Sequence, residues 1–170
     1  MFILDNQMLD DLCQQAENSS RRRQHLNIHS SYEENCQRLF NAIQPNSYIP
    51  PHRHSIAGKK ELLVAIRGSF SLIIFDDDGD LIRSSSFGSE LYLDELCSSV
   101  GLEISPDTWH TVIARQKNSI LLEVKEGPFF SDEAKEIALW APQDGSVEMV
   151  SFLAKYHKFC ESNSSLFKSY

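Results

Sequence analysis

Apolar residues recur at helical spacing only near the two ends of this chain. Between the ends the pattern turns to alternation and to short apolar runs bounded by turns. Leu9, Leu12, Cys13 and Ala16 share one helical face within residues 5–18, Asp5 can cap the start, and Asn18-Ser19-Ser20 ends the segment. This helix is expected to pack on the outside of the main body or to make a dimer contact. From about residue 25 the period becomes two, with His25-Leu26-Asn27-Ile28-His29 alternating polar and apolar. Residues 36–43 read as extended, although QRLFNAI also passes for a short helix. Asn46-Ser47 makes a turn, and residues 48–54 run extended under the constraint of Pro50 and Pro51, with Tyr48, Pro50, His52 and His54 on one parity. ELLVAIR (61–67) stops at Gly68, SFSLIIF (69–75) follows at once, and Asp76-Asp77-Asp78-Gly79-Asp80 turns the chain into 81–87. Segments 100–104, 109–114 and 119–125 are further strands, 89–96 is mixed, and 129–145 is loop-rich around Trp140-Ala141-Pro142. A final helix is expected over about 147–161, with Val147, Val150, Phe152 or Leu153, and Tyr156 on one side, before a frayed polar tail.

Many short strands with closely spaced turn signals indicate a mainly β sandwich or barrel. No repeat or low-complexity linker interrupts the pattern. One domain over 1–170 is expected: a helical extension at 1–20, a barrel over about 25–130, and a loop with the C-terminal helix over about 131–170. With 170 residues there is enough chain to bury a core. The 41% hydrophobic and 24% charged content is ordinary for a globular protein and changes nothing in this picture.

A net charge of −8 argues against nucleic acid or an anionic membrane surface as partner. The local exception is Arg21-Arg22-Arg23, which reads either as a solvated loop or as an anion contact near a site mouth. Cys13, Cys36, Cys97 and Cys160 are scattered and form no CxxC pair, so free thiols in a reducing cytoplasm are expected. The N-terminal residues carry acids and no basic region, unlike a signal peptide. No apolar run approaches the roughly 20 residues that span a bilayer.

Two histidines separated by one residue, His52 and His54, share a face of an extended segment, which makes half of a metal site. His110 follows the tight turn Pro106-Asp107-Thr108, which fixes where its ring points. With Glu61 the set becomes three imidazoles and one carboxylate, which suits one divalent transition metal ion (zinc, iron, manganese or nickel) and is too rich in nitrogen for calcium or magnesium. Glu61 otherwise reads as a strand-edge charge. Single histidines are more often hydrogen-bonded structural residues, the reading taken for His25, His29 and His157. The acidic run 76–80 has an oxygen-rich look, but it lacks the spacing and flanking helices of an EF-hand and reads as a hairpin turn.

Candidates around the metal follow from parity. Tyr48 shares the parity of the two histidines and is expected to line the pocket. Glu123 and Lys125 share a face opposite Ile120, Leu122 and Val124. That face is either exposed, or it points inward and makes Glu123 a general base and Lys125 its acid or anion partner. Arg67 has the parity of Glu61, and Arg38 sits on an early strand. Either can meet a negatively charged substrate. Trp109 and Trp140 either pack or stack on a sugar ring.

His52-x-His54, Glu61 and Gly68, followed by Pro106 and His110, resemble the two signature motifs of the cupin superfamily. RRRQHLNIH, QRLFNAIQPNSYIPPHRH, ELLVAIRG, PDTWH, EVKEGPF and WAP look more closely like the WbuC family of cupin-fold metalloproteins, found among bacterial O-antigen and surface-polysaccharide genes. The resemblance covers roughly residues 20–145. It implies a double-stranded β-helix (jelly-roll) barrel with the metal held inside by His52, His54, Glu61 and His110. His54 and Glu61 stand further apart than in the usual cupin pattern. The second motif lacks its usual glycine, and Ala114 stands where asparagine is common. The implied function is a metal-dependent isomerase or epimerase acting on a small polar substrate, such as a sugar or nucleotide sugar, in surface-polysaccharide biosynthesis. A non-haem iron oxygenase and a non-catalytic, metal-stabilised sugar-binding module are the alternatives.

Overall fold

The computed structural model describes residues 3–54, 59–93, 97, 99–131 and 135–163. Helix α1 (Asn6–Asn18) precedes the strands β1 (Arg23–Asn27), β2 (Cys36–Ile43), β3 (His52–Arg53), β4 (Glu61–Arg67), β5 (Ser69–Phe75), β6 (Leu81–Gly88), β7 (Gly101–Ile104), β8 (His110–Ala114), β9 (Ser119–Glu126) and β10 (Glu136–Ile137). Helix α2 (Glu148–Asn163) follows them. Asp5 caps α1, its carboxylate accepting from the backbone N–H of Met8 at 2.9 Å.

The strands form two five-stranded sheets, ordered β1-β2-β9-β4-β7 and β10-β3-β8-β5-β6. Every ladder is antiparallel. Apart from the neighbours β1–β2 and β5–β6, the paired strands are distant in sequence, so the chain winds as a jelly roll, the double-stranded β-helix of the cupin fold. Gly68 makes the step from β4 to β5, and therefore from one sheet to the other, with φ +71°. A Cβ there would stand 2.1 Å from Ser119 Oγ, so glycine serves both the backbone angle and the close approach. The acidic run closes the β5–β6 hairpin. Asp76 Oδ1 accepts from the N–H groups of Asp78 at 3.1 Å and Asp80 at 2.8 Å, which is turn chemistry.

Three apolar layers hold the fold. Between the sheets lie Ile43, Leu63, Phe70, Leu72, Phe87, Val112 and Leu121. Outside the first sheet, Leu9, Leu12, Cys13 and Ala16 of α1 pack on Phe40, Ala42 and Ile120, with Leu26, Ile66 and Leu122 around them. The N-terminal helix thus buries its apolar face on its own barrel. Outside the second sheet, α2 packs on Ile73, Phe75 and Ile113. Its buried face is Met149, Phe152, Leu153, Tyr156 and Cys160, whereas Val147 and Val150 are 87% and 65% exposed, unlike the expected stripe. The i, i+3, i+4, i+7 series simply starts one residue before Val150.

The segment expected to run extended over 48–54 joins a ladder only at His52–Arg53. Pro50 and Pro51 have no N–H to contribute. The loop-rich stretch after residue 129 supplies the short edge strand β10, paired with β3. None of the four cysteines is in a disulfide. The frayed tail expected after α2, most of the loop after His54 and part of the mixed 89–96 stretch lie outside the described residues.

Candidate metal centre

His52 and His110 are direct cross-strand partners on β3 and β8, which brings their ring centroids to 4.5 Å. His54 follows two residues after His52 and turns inward beside it, its ring centroid 5.4 Å away. Glu61 opens β4 in the opposite sheet. Its Oε2 lies 3.2 Å from Nε2 of His54 and 3.3 Å from Nε2 of His110. One ligand atom from each of the four residues falls within 4.8 Å of the others. The residues are between 2% and 9% exposed.

The backbone sets the ring orientation. Nδ1 of His52 donates to the carbonyl of Pro50 at 2.9 Å, and Nδ1 of His110 donates to the carbonyl of Thr108 at 2.8 Å. Each bond fixes its ring with Nε2 aimed inward, the nitrogen that would bind a metal on losing its proton. The turn residues of both sequence motifs therefore serve to hold the rings in orientation. Burial, with His110 and Lys135 nearby, pushes His52 well below its usual pKa and keeps it neutral. Burial alone would raise the Glu61 carboxyl, but hydrogen bonds from His110 and His54 and the charge of Lys125 outweigh it and hold the group well below the carboxylate range. Three imidazole nitrogens and one carboxylate converge, and this donor set fits a single divalent transition ion.

Glu123 and Lys125 share this cavity, which measures about 400 Å³. They stand beside β4 in register, Glu123 opposite Leu63 and Lys125 opposite Glu61. Glu123 accepts from Nδ2 of Asn41 at 2.8 Å and from Nζ of Lys125 at 2.5 Å. Burial and the neighbouring Glu61 charge raise the Glu123 carboxyl against the pull of Lys125. Burial would lower the Lys125 ammonium, but Glu123 and Glu61 hold it up.

Three of the residues proposed to surround the metal lie elsewhere. Tyr48 is 2% exposed beneath α2, its hydroxyl donating to the carbonyl of Pro142 at 3.0 Å, and it does not reach the cavity. The proline pair behind it breaks the strand pleat, so its parity with the histidines does not carry over. Arg38 pairs with Glu34 on the outer side of β2. Arg67 follows a register shift between Ala65 and Arg67, which turns it toward α1, where it bonds Asp10 at 2.5 Å and Asn6 at 2.9 Å. Trp109 and Trp140 pack against one another outside the barrel, and Arg53 stacks over Trp109 at 4.4 Å. His157 bonds the carbonyl of Pro45 at 3.0 Å.

Other residues join the cavity without having been singled out as site residues. Asn41 follows from its pairing with His25 on β1, and His25 itself lines the wall. His29 does bond the backbone of Arg38 through Nδ1, as expected of a structural histidine, yet it also lines the cavity, and its buried Nε2 has no partner among the described residues. Tyr32 and Phe129, with ring centroids 5.1 Å apart, form an aromatic side of the rim. The alternation of β1 was the signal available for His25 and for Asn27, which also lines the cavity. Phe129 and Lys135 come from loops and left none.

The jelly roll, with three histidines and a glutamate clustered inside it, is a cupin-like fold around a candidate metal centre. A family model described as "Domain of unknown function (DUF6016)" matches residues 4–87, a span that includes His52, His54 and Glu61 and stops short of His110. No curated protein matches the chain. Among solved structures, CapF with the inhibitor 3-isopropenyl-tropolone is similar at 13% identity and a TM-score of 0.55, over 71% of this chain and 32% of that one. Protein SO0799 from Shewanella oneidensis is similar at 13% identity and a TM-score of 0.55, over 95% of this chain and 98% of that one. The capsular polysaccharide assembling protein CapF from Staphylococcus aureus is similar at 14% identity and a TM-score of 0.54, over 71% and 33%. This chain therefore spans about a third of CapF and nearly all of SO0799. At these identities the likeness is one of fold.

Proposed function

We propose that this protein is a metal-dependent enzyme that moves a proton on a small, polar, sugar-like substrate, as an isomerase or epimerase does. The observation that carries this reading is the Glu123–Lys125 pair, which faces the same cavity as the four metal-ligating side chains. A divalent transition ion held by His52, His54, Glu61 and His110 supplies Lewis acidity toward a carbonyl or hydroxyl oxygen. Glu123, fixed by Asn41 and Lys125, is placed to take and return a proton. Lys125 holds that carboxylate in one orientation and offers positive charge to a developing oxyanion.

The cavity size supports a monosaccharide-sized ligand, since about 400 Å³ stands near the lower end of ligand pockets. Tyr32 and Phe129 offer apolar faces suited to the C–H side of a sugar ring. Membership of the WbuC family and a role in surface-polysaccharide biosynthesis are part of the proposal, supported by the motifs around PPHRH and PDTWH. The likeness to CapF, a capsular polysaccharide assembling protein, adds fold-level analogy. Thiols without disulfides support a cytoplasmic setting. The exposed Val147 and Val150 support a homodimer.

The test is to strip the protein with a chelator, reload it separately with zinc, iron, manganese and nickel, and follow solvent deuterium entering candidate sugars and nucleotide sugars. Metal-dependent exchange at one carbon is expected. Exchange that is unchanged after complete metal removal overturns the reading. Oxygen consumption without deuterium exchange would favour the oxygenase alternative.

A further inference from the structure

The cavity opens between one edge of each sheet. At one edge β1 ends its sheet, and at the other β10 ends the second. Arg21, Arg23 and His25 line the cavity from the β1 side, and Lys135, just before β10, lines it from the other. These cations are not all accounted for by the fold. Arg23 is engaged, bonding Asp144 and the carbonyl of Tyr48, each at 2.6 Å. Among the described residues, no carboxylate pairs with the side chains of Arg21 or Lys135. Among the described residues, the acids that line the cavity are Glu61, held by two histidines, and Glu123, held by Lys125. In a chain with net charge −8, two cations that line one cavity with no carboxylate ion pair among the described residues stand out against the overall composition.

We infer that this mouth is an anion subsite, in which Arg21 and Lys135 clamp the carboxylate or phosphate of a monosaccharide-sized substrate whose reacting end reaches Glu123. The inference rests on the proposed reading of the cavity as a substrate site and adds the charge class of the substrate. Clamping from both sheet edges would hold the ligand in one direction along the cavity. A guanidinium and an ammonium together suit an oxyanion: arginine gives a planar fork, and lysine a point charge. Partial desolvation at the mouth, with the Arg23 and Lys125 charges close by, lowers the Lys135 ammonium from its usual pKa, a strain that a bound anion relieves.

Glucuronate, glucose 6-phosphate and uncharged glucose are titrated calorimetrically into the metal-loaded and the chelator-treated protein. The same titrations are made with the double variant Arg21→Ala/Lys135→Ala and with Lys117→Ala, which stands outside this cavity. At low salt one or both charged probes are expected to bind at least about tenfold tighter than glucose. The double variant is expected to abolish that preference, Lys117→Ala to keep it, and added salt to weaken it. The two charged probes tell a carboxylate site from a phosphate site. Equal affinity for all three probes, no binding of either charged probe, or a preference that survives in the double variant overturns the inference. A preference that persists after metal removal supports the subsite even if the metal-dependent reaction fails. Deuterium exchange on an uncharged sugar without any anion preference overturns the subsite and leaves the reaction standing. Thermal unfolding of each variant verifies that both side chains were removed from a folded protein.

Discussion

Glu61 and His110 sit on strands of different sheets, and a carboxylate oxygen of the one lies 3.3 Å from Nε2 of the other. The cluster therefore ties the two sheets together across the barrel interior. A metal held there would link its binding to barrel stability, because the four donors meet only in the folded chain.

His110→Ala is expected to lower metal affinity by more than the roughly 10–100-fold that loss of an outer hydrogen-bond partner costs. Competition with a chromophoric chelator measures it, with elemental analysis for stoichiometry. The metal-loaded protein should also unfold at higher temperature than the stripped one. An ion at a hundred times its dissociation constant adds about 2.7 kcal/mol to the folded state. Equal melting temperatures with and without metal would contradict a site at this position.

Glu123→Gln is expected to keep the metal and lose about 10²–10⁴ in kcat, the range for removing a proton-transfer group. Lys125→Met leaves Glu123 buried beside Glu61 without its cation and should destabilise the protein by on the order of 3 kcal/mol. Steady-state kinetics and urea unfolding separate the two effects. Full activity in the glutamine variant removes Glu123 from the chemistry.

Gly68→Ala should cost about 1–3 kcal/mol through a forced positive φ and a collision with Ser119. Adding Ser119→Ala removes the oxygen that stands 2.1 Å from the new Cβ, but not the backbone strain or the Cβ at 2.9 Å. Partial recovery is expected in the double variant, read by denaturant midpoints. Complete recovery would show that the angle itself costs nothing.

Burial, then the charges of Arg21, Lys125 and His29, lower the His25 imidazole from its usual value near 6.5. A lowered folded pKa means that the unfolded chain binds the extra proton first as pH falls. This contribution to stability is complete above about pH 6.5 and declines as pH drops from there toward the lower folded value. Stripped protein carrying His25→Gln should therefore show a shallower loss of stability on acidification than stripped wild type. A steeper loss in the variant would reverse the sign argued here.

The strands β4 and β5 and the helix α1 were legible because each carries one clean period or apolar run over its whole length. The ligands were legible from equally local signals: a spacing of two places His52 and His54 side by side, and a proline turn aims His110. Parity misled wherever the strand geometry is interrupted. Pro50 and Pro51 separate Tyr48 from the histidines, and the irregularity between Ala65 and Arg67 sends Arg67 outward to Asp10. On β2, Arg38 alternates with Leu39 and Asn41 and so falls on the side away from the cavity.

What the sequence alone indicated is the β-rich barrel and its candidate donors, His52 and His54 from a spacing of two, His110 from a proline turn, and Glu61 from its place in the cupin-like motif before Gly68. The tertiary structure decided which polar faces are enclosed. Strand β9 carries apolar residues on one face and Glu123 and Lys125 on the other, and its own pattern permits either face to look inward. Helix α1 settles the choice by burying Ile120 and Leu122 from outside, which leaves the charged pair facing the metal ligands. A second layer packed on a sheet is a long-range event, and no periodicity within the strand can announce it.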